Sequence, residues 1–589
     1  MMEYLCLTEA TLPRLLWRAS IGENTCIIST KATFGPRSLG ILQKTAAWLR
    51  SKGKVHDLLV DFPELVTHKD DIDLIVREDV FATQEPAIDD IFDLPNAEKR
   101  YGRYGRSYCH AVCNLSVERL LLVYRLLDIV KFEKQQPFRV SGLEPEIAKL
   151  YRKIFPDQPP LLASSVPAFL RYTFNSVVAA TVAFLSISWI LTRTRLAPRA
   201  PEDIFLGADF CNDPRDLLLW DEVNEDPRQI MAVFRHKNLR PAGTSILAGR
   251  RHCIWQDGAF SPMDGLASIA ELIRDTTMLW RQGKHLPPNV FRTLIAQSHL
   301  RMTFRALFNV YRFRYFWDRA DYNTDHIVRT QELRAVGTKS LGIMHGIASI
   351  CRGMHQMRYV DYDVYFSIGR HSYEKFYKTH WPSAIDVRTI GSFGISREEH
   401  HRMARSDRKN KDVAFFIVPT VQGSATLDVA AAVAAAFPDR IVYLNSKKRY
   451  LTGSYLEEIR KHCATYNNLR LHTGRSYDLM SECGYVFSDG STLTAEAIQF
   501  GLYGFALNLI GDRWKYNIYA DFPGLLLTSA EESIDVMKKI EAGDLKYPRE
   551  SYSELIDLSG RIFFDTARIA LDLPPKEGVL PELAFSPTT

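Results

Sequence analysis

Short apolar runs alternate with helix-length amphipathic segments along most of this chain. Residues 25–30, 201–210 and 339–344 are apolar runs bounded by polar residues, whereas residues 41–50 and 325–335 have the longer apolar spacing of helices. Such runs are typical of buried strands when polar turns bound them. Strands that alternate with helices indicate a parallel sheet. We therefore predict the α/β fold class.

The alternation is most regular in the C-terminal half of the chain. It predicts strands over residues 412–418, 440–444, 469–473 and 485–487, with a helix after each of them. Successive β–α units of this kind form a Rossmann-like unit, and such units bind ligands at the carboxyl ends of their strands. The loops after these strands are therefore the first candidates for a binding site.

Residues 485–501 combine a strand end, a small polar loop and a helix start. Ser488, Ser491 and Thr492 separate the apolar run from the helix, and Glu496 follows about one turn inside it. Free backbone N–H groups at a helix N-terminus bind anions. The stretch therefore predicts a nucleotide site, with Glu496 close enough to accept a hydrogen bond from a ribose. The alternative is an ordinary β–α turn capped by serine and threonine.

Residues 174–191 form an apolar segment without a charged residue, between Arg171 and Arg193. About 20 apolar residues are needed to cross a bilayer, so the segment is just long enough. A crossing would place residues 1–165 on the opposite side from the rest, which conflicts with both parts building one enzyme. Three interpretations remain open: a helix or hairpin seated shallowly in a membrane, a buried core helix, and a true span.

Composition and charge narrow the class of partner. The 589 residues suffice for two or three domains, and the formal net charge is +5. This mild basic excess does not favour a nucleic-acid binder, but it suits anionic donors or anionic lipid headgroups. The nine cysteines are scattered along the chain, which indicates a reducing compartment. The first residues lack the basic and apolar regions of a signal peptide, so we expect a cytoplasmic protein.

Three stretches, in chain order, resemble the GT-B glycosyltransferases. The resemblance is to the bacterial surface-polysaccharide type, which includes glycerophosphotransferase-like and Kdo-transferase-like enzymes. Gly337-Thr-Lys-Ser-Leu-Gly-Ile-Met-His-Gly346 resembles the family's strand that ends in a His-Gly pair. Residues 362–369 with 387–392 resemble its entry into the second domain, and residues 485–501 resemble its donor-nucleotide loop. The resemblance implies two Rossmann-like domains that face a cleft, with the apolar segment as a helical insertion in the first.

The resemblance and the pattern together divide the chain into five parts. The parts are the N-terminal α/β part of an acceptor domain (1–165), the apolar segment, membrane-seated or buried (166–200), the remainder of the acceptor domain (201–361), the nucleotide-donor domain (362–530), and C-terminal helices with a tail (531–589). The acceptor domain is thus assembled from two stretches that the apolar segment separates.

The catalytic base is expected from the acceptor domain. If the anomeric configuration inverts, sugar transfer needs a base for the acceptor hydroxyl and positive groups for the leaving phosphate. The resemblance favours His345 as the base, and Asp209 and Asp213 are candidates by their position near a strand end. A histidine that packs in the core is the alternative for His345. No Asp-x-Asp pair stands out, so neither a metal site nor a cofactor is predicted.

Cations for the donor phosphates are expected after the strand at 440–444. Lys447 and Lys448 follow it and could bind phosphate together with Ser491 and Thr492. The GT-B enzymes that this chain resembles usually carry Lys with a His-Pro pair here, whereas this chain has Asn445-Ser-Lys-Lys-Arg-Tyr. The alternative for this basic run is a solvated loop.

These expectations combine into one predicted function. We predict a glycosyltransferase of hexosyl or Kdo type that moves a sugar from a nucleotide-sugar to a growing surface glycan or a lipid-linked acceptor. It would be peripheral on the cytoplasmic face of the cell membrane, with no nucleic-acid partner. A non-hydrolysing sugar-nucleotide 2-epimerase and a catalytically inactive GT-B scaffold in a glycan-assembly complex are the alternatives.

Overall fold

The computed structural model describes most of the chain from residue 168 onward and separate segments before it. The residues described are 2–6, 12–21, 25–28, 44–45, 47–53, 56–57, 87–114, 138–143, 145–154, 162–163, 168–197, 200–210, 214–223, 226–235, 247, 249–319, 323–344, 346, 355–405, 411–417, 419–489, 491–509 and 518–577. Two of the predicted catalytic candidates, His345 and Asp213, lie outside the described residues.

Within the described residues, the strands form three separate parallel sheets that follow one another along the chain. The first sheet has the order β3-β2-β1-β4-β5. Its strands are β1 (Met2–Cys6), β2 (Thr25–Ile28), β3 (His56–Asp57), β4 (Phe138–Leu143) and β5 (Leu162–Ala163). The helices of this part include α1 (Leu12–Ile21), α2 (Ala97–Tyr101) and α3 (Pro145–Ile154).

A long helix, α4 (Ala168–Arg193), leads to the second sheet. This sheet has the order β12-β11-β10-β9-β6-β7-β8. Its strands are β6 (Glu202–Asp209), β7 (Ile230–Phe234), β8 (Arg251–Ile254), β9 (Tyr311–Asp318), β10 (Lys339–Ile343), β11 (Val364–Ser367) and β12 (Asp386–Thr389). The helices between them include α5 (Pro214–Glu222), α6 (Pro262–Gly283), α7 (Pro288–Val310) and α8 (Asp325–Ala335).

The third sheet has the order β15-β14-β13-β16-β17-β18. Its strands are β13 (Val413–Ile417), β14 (Val442–Ser446), β15 (Leu469–His472), β16 (Tyr485–Ser488), β17 (Tyr503–Leu507) and β18 (Leu526–Leu527). Its helices include α9 (Arg397–Arg405), α10 (Pro419–Ala436), α11 (Gly453–Thr465), α12 (Ser476–Met480), α13 (Thr492–Gln499), α14 (Ala530–Ala542) and α15 (Phe563–Ala570). In all three sheets the first strand lies inside the sheet, which is the doubly wound order.

Each of the two larger sheets has an interior strand that is buried from end to end. Every residue of β7 and of β13 is buried, and both strands are continuous apolar runs. Strands of this kind occur where helices cover both faces of a parallel sheet. The predicted α/β class with two Rossmann-like units is therefore confirmed.

Two domain boundaries differ from the sequence-based division. The strands within residues 2–163 pair among themselves, whereas the prediction joins them to residues 201–361 in one acceptor domain. Strands β11 and β12 extend the second sheet, although the prediction places residues from 362 onward in the donor domain. Pairing partners lie far apart in the sequence, so the local apolar pattern identifies a strand without identifying its sheet.

Helix α15 returns from the third sheet to the second. The ring of Phe563 packs against Trp317 of β9 and Phe366 of β11, with centroids 6.0 and 5.8 Å apart. A single cluster of buried apolar side chains includes residues of both sheets and of α15. The second and third sheets therefore share one hydrophobic core.

Residues 87–114 attach the N-terminal part to the second sheet's helices. Arg103 pairs with Glu271 and Asp275 of α6. Arg106 donates a hydrogen bond to the backbone carbonyl of Val360 at 3.1 Å. Charged and polar contacts thus contribute to this attachment, whereas the two larger sheets share an apolar core.

His400 is buried on α9, at the junction of the two larger sheets. Its ring lies edge-on to Phe500 and to Phe564 of α15, at centroid distances of 5.5 and 6.4 Å. Burial lowers the pKa of His400 from 6.5 to about 4, and the neighbouring charges of His401 and Arg397 act in the same direction. The imidazole therefore stays neutral in the folded protein where the unfolded chain already binds a proton.

We predict that this histidine makes the protein sensitive to acid. Between pH 6.5 and about 4 the unfolded chain takes up a proton that the folded protein does not, so lowering the pH favours unfolding. A pKa difference of this size corresponds to roughly 3 kcal/mol of lost stability. Urea unfolding measured across this pH range should show a smaller loss of unfolding free energy on acidification for His400→Gln than for the wild type.

The control is His252→Gln, which removes an exposed imidazole on β8. It should keep the wild-type pH dependence. If the free energy of unfolding depended on pH equally in His400→Gln and the wild type, His400 would not titrate in this range.

Candidate functional site

The candidate site lies where the two larger sheets have their switch points. In a doubly wound sheet, ligands bind in the crevice beyond the carboxyl ends of the two central strands, from which the chain proceeds in opposite directions. These strands are β13 and β16 in the third sheet, and β6 and β9 in the second. The residues that follow these four strands therefore define the candidate site.

The floor of the third sheet's crevice consists of paired polar side chains. Ser488 is fully buried, and its hydroxyl shares a hydrogen bond with that of Thr494 in α13. Asp489 accepts hydrogen bonds from the amide of Gln422 at 3.0 Å and from the hydroxyl of Thr426 at 2.7 Å. Because Gln422 and Thr426 belong to α10, these bonds join the chain segments that follow β13 and β16.

Asp489 and Gln422 are not among the candidates that the sequence suggests. Gln422 has non-helical dihedral angles at a kink in α10, and its amide also bonds the backbone of Leu507 and Leu509, at 2.8 and 2.7 Å. An acidic residue directly after a buried strand is a signal that could have identified Asp489. Gln422 offers no such signal, because its partners lie 67 to 87 positions away.

The start of α13 meets the second sheet's unit. Ser491 caps the helix by accepting a hydrogen bond from the N–H of Leu493 at 3.3 Å. A Cβ built on Gly346, just beyond β10, would lie 3.1 Å from the hydroxyl oxygen of Thr492. The carboxyl edge of the second sheet thus touches the helix start that was predicted to bind phosphate. His345 precedes Gly346 in the chain and lies outside the described residues.

Glu496 lies further along α13 and contacts the connection between the two sheets. Its Oε1 accepts hydrogen bonds from the hydroxyls of Ser392 and Tyr477, at 2.8 and 2.9 Å. Burial raises the pKa of this carboxyl, while these two hydrogen bonds and the charge of Arg215 act in the opposite direction. Ser392 lies between β12 and α9, so the carboxylate predicted to bind a ribose is engaged by the interdomain connection.

Lys447 and Lys448 are exposed directly after β14. Two strand spacings separate β14 from β16 in the sheet order β14-β13-β16, which corresponds to about 10 Å. The buried amide of Asn445 holds this strand end by donating to the carbonyls of His472 and Gly474, at 3.0 and 3.2 Å. The two lysines therefore lie at the same edge as Ser491, within reach of a ligand that spans the crevice.

Asp209 occupies the second sheet's switch point, at the end of β6, but it is not available as a base. It is buried, and its carboxylate pairs with Arg329 at 2.8 Å and with Arg235 at 2.9 Å. Arg329 also pairs with Asp318 at the end of β9. A buried carboxylate held by two guanidinium groups is not positioned to take a proton from a substrate. These ion pairs give Asp209 a structural role, which differs from the predicted role of a base.

Two further arginines lie beside the connection between the sheets. The guanidinium carbons of Arg215 in α5 and Arg319 after β9 lie 5.4 and 5.5 Å from the ring centroid of Phe393. Both bring positive charge from the second sheet's unit to the junction that Glu496 contacts. The sequence does not suggest either of them, because neither lies in a basic cluster or beside a recognisable motif.

Positive charge at this site comes from side chains and backbone dipoles. Within the described ranges, no group of three or more His, Cys, Asp or Glu side chains could hold a metal ion. The helix start at Ser491 and the exposed lysines are the groups that can neutralise a phosphate. The arrangement therefore suits an anionic ligand that lies between the two edges.

Comparison with known proteins gives only loose structural similarity. No protein-family model and no curated protein matches this sequence. The structure is similar to a UDP-GlcNAc 2-epimerase from Neisseria meningitidis bound to UDP-GlcNAc, with 10% identity over 63% of this chain and 98% of that chain and a TM-score of 0.38. It is also similar to an O-GlcNAc transferase from Thermobaculum terrenum, with 12% identity over 82% and 96% of the two chains and a TM-score of 0.32.

A third similar structure is the O. sativa protein Os79 in complex with UDP. Its identity is 12%, over 60% of this chain and 93% of that chain, with a TM-score of 0.34. At TM-scores below 0.4 these overlays add nothing to what the strand order establishes. The functional argument therefore rests on the geometry of this chain.

We predict that Asp209→Asn destabilises the protein strongly. The substitution leaves the buried charges of Arg235 and Arg329 without one of their carboxylates, and breaking a buried ion pair typically costs about 3–5 kcal/mol. Urea unfolding at neutral pH measures the change. The matched control is Asp226→Asn, which removes a carboxylate from an exposed pair with Arg228 and should leave the unfolding midpoint unchanged. Equal stability of the two variants would contradict the structural role of Asp209.

Proposed function

We propose that this protein is a glycosyltransferase that uses a nucleotide-sugar donor. The observation that carries the proposal is the position of Gly346, where an added Cβ would lie 3.1 Å from the hydroxyl oxygen of Thr492. It brings the carboxyl edge of one Rossmann-like unit against the anion-binding helix start of another. A donor bound at α13 would therefore have its sugar at the boundary of the two units, where an acceptor can approach from the second sheet.

The donor's phosphates would bind at the start of α13. The first N–H groups of a helix lack intrahelical partners and point at whatever lies before the helix. Ser491 and Thr492 are half-buried there, and Lys447 with Lys448 supplies cations from the neighbouring strand end. Ser488 lies beneath this position and supports it through its bond to Thr494. In this proposal Ser488 positions the loop, and the other four residues bind the phosphates.

Glu496 would accept hydrogen bonds from the nucleotide's ribose and from the interdomain connection at the same time. A carboxylate can accept about four hydrogen bonds, and two are used by Ser392 and Tyr477, both at Oε1. A ribose hydroxyl would donate one of the further hydrogen bonds that the carboxylate can still accept. Because Ser392 belongs to the segment between the sheets, donor binding would then favour one relative position of the two units.

The chemical step is the transfer of a glycosyl group. The acceptor oxygen forms a bond to the anomeric carbon as the bond from that carbon to the phosphate oxygen breaks, and the nucleotide leaves with the bonding electrons. His345, which precedes Gly346 in the chain, is proposed to take the acceptor's proton if the configuration inverts. Asp213 is the remaining candidate after the second sheet's first strand. The proposed acceptor is a surface glycan or a lipid-linked precursor, as the family resemblance implies.

The first experiment identifies the nucleotide and tests its site. Thermal shift with UDP, GDP, CMP and CDP donors selects a ligand, and calorimetry measures its affinity for variants. Loss of a charged hydrogen bond costs roughly 1.5–3 kcal/mol, so we expect Lys447→Ala and Glu496→Gln to weaken binding about tenfold to a hundredfold. Ser491→Ala should weaken it less. The control is Lys461→Ala in α11, an exposed lysine outside the strand-end loops.

Wild-type affinity in both Lys447→Ala and Glu496→Gln would place the nucleotide elsewhere. Conversion of the bound donor to its 2-epimer without any acceptor would favour the epimerase. Tight binding without turnover on any acceptor would favour the inactive scaffold. Each result contradicts the proposed transferase in a different way.

The second experiment tests the base. We predict that His345→Ala lowers turnover by about 10² to 10⁴ while nucleotide affinity is retained, because a general base acts in the chemical step and not in donor binding. Circular dichroism checks the fold, and Asp213→Asn is the parallel variant. Wild-type turnover in His345→Ala would exclude it as the base.

A further inference from the structure

Helix α4 has the reverse of the usual amphipathic pattern. Its buried positions are Asn175, Ala179, Ser186 and Ile190, whose spacing of 4, 7 and 4 residues defines one face. Two of these four residues are polar, whereas the opposite face carries large apolar side chains. Only 22% of its most apolar stretch is buried, although Ile190 belongs to a hydrophobic cluster with Phe260, Leu272 and Met302.

Polar side chains attach this helix to the protein. The amide of Asn175 donates to the carbonyls of Lys284 and Leu286, at 2.9 and 3.0 Å. The hydroxyl of Ser186 lies 3.0 Å from Nδ1 of His299. Buried hydrogen bonds of this kind specify the orientation of a helix. The orientation that exposes the apolar face is therefore specified by the fold.

The exposed apolar face continues onto the neighbouring helix α6. The two helices lie antiparallel, because Asn175 contacts the end of α6 whereas Thr194 lies beside Gly265 near its start. The exposed side chains of this surface, which we call the apolar plate, are Val177, Phe184, Leu185 and Leu191 of α4 with Met263, Leu266 and Ile273 of α6. Contiguous exposed apolar surface marks an interaction site, since burying it is favourable.

Several of the hydroxyls along α4 are satisfied within the helix. Thr173, Ser176 and Thr192 donate to the backbone carbonyls of Phe169, Tyr172 and Trp189, at 2.7 to 2.8 Å. Residues 172–192 contain no charged side chain. A hydroxyl that is paired within its own helix can enter a hydrocarbon environment without leaving that hydrogen bond unmade.

Both ends of α4 are attached to the same body. Arg171 near its start donates to the carbonyl of His285 at 3.1 Å, and Thr194 just after its end pairs with Phe260. Helix α6, which links these two points, carries the buried ion pairs of Glu271 and Asp275 with Arg103. The whole of α4, which is about 39 Å long, therefore lies along the protein surface and does not cross a bilayer.

Basic side chains border the apolar plate. They are Arg193 and Arg195 at the end of α4, Arg281 near the end of α6, and Lys284 just after α6. The ammonium of Lys284 lies over the rings of Tyr172 and Trp280, at 5.1 and 5.5 Å. Aromatic and basic residues beside an apolar face are typical of helices that lie in the headgroup region of anionic membranes.

We propose that the apolar plate seats this protein on an anionic lipid bilayer, with α4 in the plane of the interface. Apolar side chains enter the acyl boundary, and the basic border contacts anionic headgroups. The proposal is independent of the proposed glycosyl transfer. If both proposals are correct, attachment through the apolar plate extends the functional proposal, because it gives the enzyme access to an acceptor that carries a lipid anchor.

The test is co-sedimentation of the full chain with two kinds of vesicles. One kind is phosphatidylcholine alone, and the other is equal parts of phosphatidylcholine and phosphatidylglycerol. We expect binding to the anionic vesicles that weakens with salt. The double variant Phe184→Glu/Leu185→Glu should bind the vesicles at least about tenfold more weakly, because two charges replace apolar side chains that would be buried in the bilayer. Since both side chains are exposed, thermal unfolding in solution should not change.

Two controls separate insertion of the apolar plate from a general effect of added charge. Leu545→Glu adds the same charge at an exposed leucine outside the apolar plate and should bind vesicles like the wild type. Arg195→Glu/Arg281→Glu should reduce binding to anionic vesicles only. Nucleotide affinity should be unchanged in all these variants, so failure of this proposal is distinguishable from failure of the donor site.

Three outcomes would overturn the proposal. The first is the absence of wild-type binding to either kind of vesicle. The second is equal vesicle binding by the wild type and Phe184→Glu/Leu185→Glu. The third is a dimer in solution that this double variant converts to a monomer, since a second copy of the chain would then cover the apolar plate.

Discussion

The ion pairs of Arg397 and the return of α15 hold the two larger sheets against each other. The guanidinium of Arg397 binds Glu222 at the end of α5 and Asp565 in α15, at 3.1 and 2.8 Å. Guanidinium groups bind carboxylates with defined geometry, so such pairs fix orientation as well as contact. Arg397 and α15 thus link the second sheet's unit to the third, and Gly346 lies beside Thr492 at the boundary of the same two units.

The two crevices are chemically different although their strand orders correspond. In the second sheet, Asp209 at the switch point pairs with Arg235 and Arg329, so its charge is balanced within the protein. In the third sheet, Asp489 is held by neutral donors, and the helix start at Ser491 lies beside it. The charge at one edge is therefore paired within the protein, and the other edge presents the groups that we propose to bind an anion.

Helix α4 shows how polar contacts can determine where apolar surface is placed. Asn175 and Ser186 hold the helix through hydrogen bonds, and this leaves Phe184 and Leu185 exposed. Solvent-exposed apolar side chains do not contribute the free energy that burial provides. In the proposal of a membrane seat, the bilayer supplies this burial. The orientation of the catalytic units relative to a lipid surface would then follow from two buried polar residues.

The sequence by itself determined the features that depend on neighbouring residues. These are the α/β class, the strand–loop–helix unit of residues 485–501, and the long apolar helix that includes residues 174–191. Only the tertiary structure decided that β11 and β12 join the second sheet, that Asp209 binds two arginines, and that Glu496 binds Ser392. The two arginines and Ser392 lie 26 to 120 positions from the carboxylates they bind. Apolar periodicity records which face of an element is buried, but it carries no information about which distant side chain meets it there.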